Sequence, residues 1–100
     1  MKYPLSHIVK KIEECGEIEM EHDNDNLFLY KKDKGNIISM VYKQNEKYGS
    51  SNYIGYFNFD SFKNNKLSNK NQKIMNTWDE YDYEYLNDIL SLFISDISFA

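Results

Sequence analysis

The longest periodic stretch is the chain's last quarter. Apolar side chains at Trp78, Tyr81, Tyr85, Leu86, Ile89, Leu90, Phe93 and Ile97 recur three and four residues apart. That spacing predicts an amphipathic helix over 78–97, with Leu92 and Ile94 widening its apolar side towards the C-terminal end. Thr77, followed three residues later by Glu80, fits a capping box. Asp79 and Glu80 also suit the positive end of a helix dipole. A shorter helix is predicted over 4–15, with Leu5, Ile8, Val9, Ile12 and Cys15 on one face. Pro4 is tolerated in its first turn, and Gly16 is placed to end it.

After Gly16 the period changes to two. Ile18, Met20 and His22 alternate with Glu17, Glu19 and Glu21, predicting a strand over 17–22 with one face buried. The run Asp23-Asn24-Asp25-Asn26 predicts a turn. Its Asp-x-Asp opening has the first spacing of a calcium loop, but Phe28 stands where that loop needs glycine. Further strands are predicted over 27–32, 37–43 and 53–59. The run Asp33-Lys34-Gly35-Asn36 makes a hairpin turn between the second and third. In the third strand Ile38, Met40 and Tyr42 share one face, opposite Ile37, Ser39, Val41 and Lys43. In the fourth, Tyr53, Gly55, Phe57 and Phe59 oppose Ile54, Tyr56 and Asn58, and Gly55 suggests a bulge or the close crossing of a helix. Polar segments over 44–52 and 63–73 read as a loop and a lysine- and asparagine-rich linker.

The expected architecture is therefore α+β: a two-layer sandwich in a single domain over 1–100. An antiparallel meander of about four strands would carry the N-terminal helix and a longer C-terminal helix on one face. The other face of the sheet would display tyrosine and phenylalanine, and such a patch, when large, marks an interaction surface.

Composition narrows the class. Forty-one per cent of the residues are hydrophobic and 16% aromatic, enough to argue against a disordered chain. No apolar run is long enough to span a membrane, and the first residues lack the apolar core of a secretory signal. The single cysteine, Cys15, cannot form an internal disulfide, so a reducing, cytoplasmic setting is expected. All twelve basic residues are lysines. Planar, bidentate recognition of guanine or phosphate therefore cannot be made, which disfavours nucleic-acid binding. The wealth of asparagine, lysine, tyrosine and isoleucine is the bias of an AT-rich genome.

Charge is distributed unevenly. Six of the sixteen acids (Asp79, Glu80, Asp82, Glu84, Asp88 and Asp96) follow Trp78 with no lysine among them, whereas residues 1–77 hold twelve lysines against ten acids. The acidic, tyrosine-bearing helix is the natural candidate for a contact with a basic protein. Carboxylates would steer the encounter and tyrosines supply contact area. The candidate contact residues are Asp79, Glu80, Asp82, Tyr83, Glu84 and Asp88, together with Tyr53 and Tyr56.

Catalytic chemistry finds no footing. No phosphate-binding glycine motif occurs. His7, Cys15 and His22 lack the paired spacing of a zinc set. A Cys15–His22 pair would need a helix end and a strand to converge. Neither cofactor nor metal is expected. In size, charge and composition the chain is similar to small immunity proteins and to phage-encoded anti-defence proteins, anti-CRISPR proteins included. That similarity implies a non-catalytic inhibitor of a basic partner, such as a nucleic-acid-binding effector or a toxin. Two other classes fit the same residues. One is a nucleic-acid-binding module using the lysine linker and Tyr48, Tyr53 and Tyr56; the other is a subunit of a homo-oligomer.

Overall fold

Pro4 and Gly16 bracket the first helix. The computed structural model describes residues 2–31, 35–46, 49–68, 73–76 and 86–99, and α1 spans Leu5–Cys15. Its stripe of Leu5, Ile8, Val9 and Ile12 is buried. Gly16 ends it in the left-handed region at φ 79°, where its N–H reaches the Ile12 carbonyl at 2.8 Å. A residue with a Cβ enters that region only at a cost. Pro4 has no side chain with which to cap the other end. The cap comes from far along the chain: Leu5 N–H donates to Asp96 Oδ1 at 2.7 Å.

Strands β1 (Glu17–His22) and β2 (Asp25–Lys31) form a hairpin. Its two turn residues, Asp23 and Asn24, are both left-handed at φ 49° and 69°. This is the primed turn that matches strand twist, and it starts β2 two residues before the expected Leu27. Asp25 then serves as an anchor. Its carboxylate accepts from Tyr42 Oη at 3.0 Å and from Asn45 N–H at 2.9 Å, and Asn45 Nδ2 donates to the Asn24 carbonyl.

The segment expected as a polar loop over 44–52 is instead mostly sheet. Strands β3 (Ile37–Glu46) and β4 (Gly49–Asn58) pair from Ile37 with Asn58 out to Glu46 with Gly49. Polarity was the wrong criterion there. An antiparallel ladder runs on backbone hydrogen bonds and can outreach the core its side chains fill. Gly55 lies opposite Met40 in unbroken register, so it marks no bulge.

The fourth strand does not continue to Phe59, because α2 (Phe59–Lys63) begins there. Asn58 Oδ1 accepts from Ser61 N–H at 2.9 Å as its N-cap. Asn36 holds the same turn: its carbonyl accepts from Phe59 N–H, and its side-chain oxygen accepts from Asp60 N–H. The turn tips Phe59 and Phe62 into the core, where Phe62 lies 5.1 Å from Phe57, ring to ring. The expected linker over 63–73 also carries structure. Leu67 is fully buried and bridges to Phe99, and Lys73 opens β5 (Lys73–Asn76), a fifth strand paired to β4.

Of the helix expected over 78–97, the structure describes α3 (Leu86–Phe93); residues 77–85 lie outside the described residues. Its end comes at Phe93 and not at Ile97, because the N-terminal segment captures the chain. Tyr3 N–H donates to the Phe93 carbonyl at 2.7 Å, and Ser95 N–H donates to the Tyr3 carbonyl at 2.9 Å, a short parallel bridge. Asn65, left-handed at φ 57°, holds the C-terminal residues in place, donating to the Asp96 carbonyl at 3.1 Å and accepting from Ser98 N–H at 2.8 Å.

The result is an α+β structure with one antiparallel sheet in the order β1-β2-β3-β4-β5. The expected antiparallel meander is present as β1 to β4, and the short β5 extends it by one strand. Ile18, Met20, Leu27, Leu29, Ile38, Met40, Tyr42 and Phe57 form one face of the sheet and join a single core with the buried residues of α1, α2 and α3. Among the described residues no helix is long and apolar enough to cross a membrane. Asp96→Ala should lower stability by about 1 kcal/mol, the usual value of an N-cap, read as the urea midpoint at unchanged slope. Asp96→Asn, which keeps the acceptor, should recover most of that loss.

Candidate functional site

Alternation sends the odd-numbered residues of β1, the even-numbered residues of β2 and β4 and the odd-numbered residues of β3 to the face opposite the core. The register aligns them in rows. One row runs Glu19, Phe28, Val41, Ile54, and its neighbour runs Glu17, Tyr30, Ser39, Tyr56. Phe28, Tyr30, Val41 and Ile54 are half-buried among their neighbours, while Tyr56 and Ile37 are 51% and 46% exposed. The Phe28 and Tyr30 rings lie 5.2 Å apart. Ser39, at the centre, is only 2% exposed although no helix covers it among the described residues. Tyr30 and Tyr56, its cross-strand neighbours, flank it on either side. The face is thus an apolar and aromatic platform with a small polar floor.

Its border on the β1 side is acidic. Glu17, Glu19 and Glu21 are all exposed, and none joins an ion pair or side-chain hydrogen bond among the described residues. The strand spaces successive carboxylates about 7 Å apart on one side. Lys43, on β3 in the row of Glu21, is exposed at a corner of the same face. Platform and acidic border together offer apolar area and a charge preference.

Of the expected contact residues, the structure describes Tyr53, Tyr56 and Asp88. Tyr56 stands on the open face. Tyr53, three residues earlier, points to the other side, where it is half-buried and stacks on Tyr42 at 5.8 Å. Asp88 is exposed in the first turn of α3. Asp79, Glu80, Asp82, Tyr83 and Glu84 lie outside the described residues, as does Tyr48. Asp96 belongs to the cap of α1 and not to an acidic helix face. The face residues Phe28, Tyr30, Ile54 and the glutamate row were missed as a site, although strict alternation over 17–22 already displayed the row.

The remaining polar groups are spread out. Cys15 sits just before β1 and His22 at its far end, about 20 Å away at the rise of a strand, so they do not converge. His22 Nε2 lies 3.2 Å from Asp23 Oδ2 and its ring stands edge-on to Phe93. No group of three or more histidines, cysteines and acids among the described residues could hold a metal. A hollow of about 350 Å³ opens between α1 and α2, lined by Leu5, Ser6, Val9, Lys10, Glu13, Lys63 and Asp96. Its charges are already paired: Lys63 Nζ lies 2.9 Å from Glu13 Oε2, and Asp96 holds α1.

Fold and site together define an α+β structure with an acid-bordered sheet face on which no described helix packs. No protein-family model matches the chain, and no curated protein or solved structure matches it.

The open face should be separable from the core by mutation. Tyr56→Thr, which replaces one residue of high strand propensity with another, should change stability by no more than about 0.5 kcal/mol. Phe57→Ala, one residue along on the buried side, should cost about 3–5 kcal/mol. Equal losses in denaturant titrations would make Tyr56 a structural residue and remove it from the site.

Proposed function

We propose that the chain is a small, non-catalytic binding protein that inhibits a basic partner protein, and that the contact is the open face of the sheet. The observation that supports this reading is the pairing of Phe28, Tyr30, Val41, Ile54 and Tyr56 with the free carboxylates of Glu17, Glu19 and Glu21. Aromatic residues supply most of the energy of such contacts, and an unpaired charge row selects the sign of the partner and speeds encounter. An effector that handles nucleic acid, or a toxin, has the required basic surface. A phage anti-defence protein or a toxin-immunity protein would have this use for it.

The nucleic-acid reading draws less support. Lys63 pairs with Glu13, Lys10 lies 3.9 Å from Glu14, and Lys31 sits over the Phe59 ring at 4.8 Å. Among the described residues these lysines lie away from the aromatic residues of the open face.

The test immobilises the wild type, Tyr56→Glu and Asp88→Lys and passes native-host lysate over each at low salt. A protein of high isoelectric point should be retained by the wild type and by Asp88→Lys, lost with Tyr56→Glu, and released as salt rises. Retention indifferent to Tyr56→Glu, or retention of nucleic acid in place of a basic protein, would reject the reading.

A further inference from the structure

The outer edge of β1 adds a second kind of recognition to the open face. In the β1–β2 ladder, Lys31 N–H donates to the Gly16 carbonyl at 2.8 Å. That bond fixes which residues of β1 face inward: positions 16, 18, 20 and 22 direct their backbone groups at β2. Glu17, Glu19 and Glu21 therefore direct N–H and C=O outward, from the edge of the sheet. Among the described residues no strand lies beyond β1. The same three residues put their carboxylates on the open face, so each offers one donor and one acceptor of backbone and one negative charge. Ile18 and Met20, between them, are 7% and 1% exposed, which anchors the strand in the core.

We propose that this edge receives an extended, lysine- or arginine-bearing segment of the partner protein as one further strand of the sheet. The proposal rests on the reading of the protein as a binder of a basic partner, and names the mode. A strand added here places every second residue directly opposite a glutamate, on the same face, at the close spacing of cross-strand pairs. Lysine or arginine there is favoured. A second copy of this chain pairing β1 with β1 would set glutamate against glutamate, and like charges directly opposite are destabilising. The glutamates thus disfavour β1–β1 pairing at an edge that would otherwise invite it, while leaving it open to a cationic strand. The added strand would also bring the partner's flanking surface over Phe28 and Tyr30, the β2 neighbours of Glu19 and Glu17.

The probe is an end-blocked peptide of about seven residues alternating threonine and lysine, chosen for strand propensity without apolar clustering. It is titrated into the isotopically labelled full chain and followed by amide NMR. The expected result is a saturable shift of the Glu17, Glu19 and Glu21 amides, weakened at least tenfold by Glu19→Lys. N-methylation of the peptide at its lysines, whose N–H groups face the edge, should weaken binding at least tenfold. N-methylation at its threonines, whose N–H groups face away, should leave affinity within about twofold. Equal sensitivity to both methylations overturns strand addition and reduces the contact to charge attraction. No shift at millimolar peptide also overturns it. If Glu19→Lys still captures the basic lysate protein while Tyr56→Glu does not, strand addition falls and the open-face reading stands. Undiminished capture by both variants removes both.

Discussion

A sheet has two faces, and the described helices of this chain cover only one. That imbalance governs the molecule. The central strand β3 sets Ile38, Met40 and Tyr42, all fully buried, on the core side and Ile37, Ser39 and Val41 on the other. Each fully buried aliphatic or aromatic side chain contributes about 1.5–3 kcal/mol, which suffices to fix the register from one side alone. A slip of one residue would exchange Met40 for Val41 and Leu29 for Phe28, and place glutamates of β1 under the helices. Register, and hence the composition of the open face, follows from the core face.

Holding the three described helices on one side of so small a sheet requires the chain ends to be tied. Asp96 caps α1 from ninety-one residues away, Tyr3 bridges to Phe93 and Ser95, and Asn65 grips the backbone of Asp96 and Ser98. Each tie satisfies a backbone group that a helix end or a tail would otherwise leave unpaired. The same ties explain why α3 stops at Phe93. Its apolar spacing continues to Ile97, but the backbone beyond Phe93 finds better partners in residues 3 and 65 than in another helical turn.

Periodicity made the local pattern legible wherever side chains alternate between core and solvent. The β1 alternation, the two faces of β3 and the αL stop at Gly16 come directly from residue types. Three features were hidden. The β3–β4 ladder beyond Lys43 carries polar side chains throughout, so no hydrophobic period marks it. The turn from β4 into α2 depends on Asn36 and Asn58 meeting Asp60 and Ser61, and Asn36 lies more than twenty residues from its partners. The pairing of β5 with β4 is a tertiary event for a segment of four residues. The candidate site was partly legible: Tyr56 and the glutamates were visible, but separating Tyr56 from Tyr53 needed the parity of β4 fixed by its register.

The position of the acids then acquires a physical reason. A row of like charges along one side of a strand costs little in water, because each carboxylate is solvated and about 7 Å from the next. Had the same glutamates stood on β3, they would have broken the platform that Phe28, Val41 and Ile54 form. Had lysines stood on β1, the edge would have been guarded equally well against self-pairing but would have turned away a cationic partner. Acids at the edge and apolar residues in the middle are the arrangement in which guarding the sheet and, on the proposed reading, selecting a basic partner would be served by the same side chains.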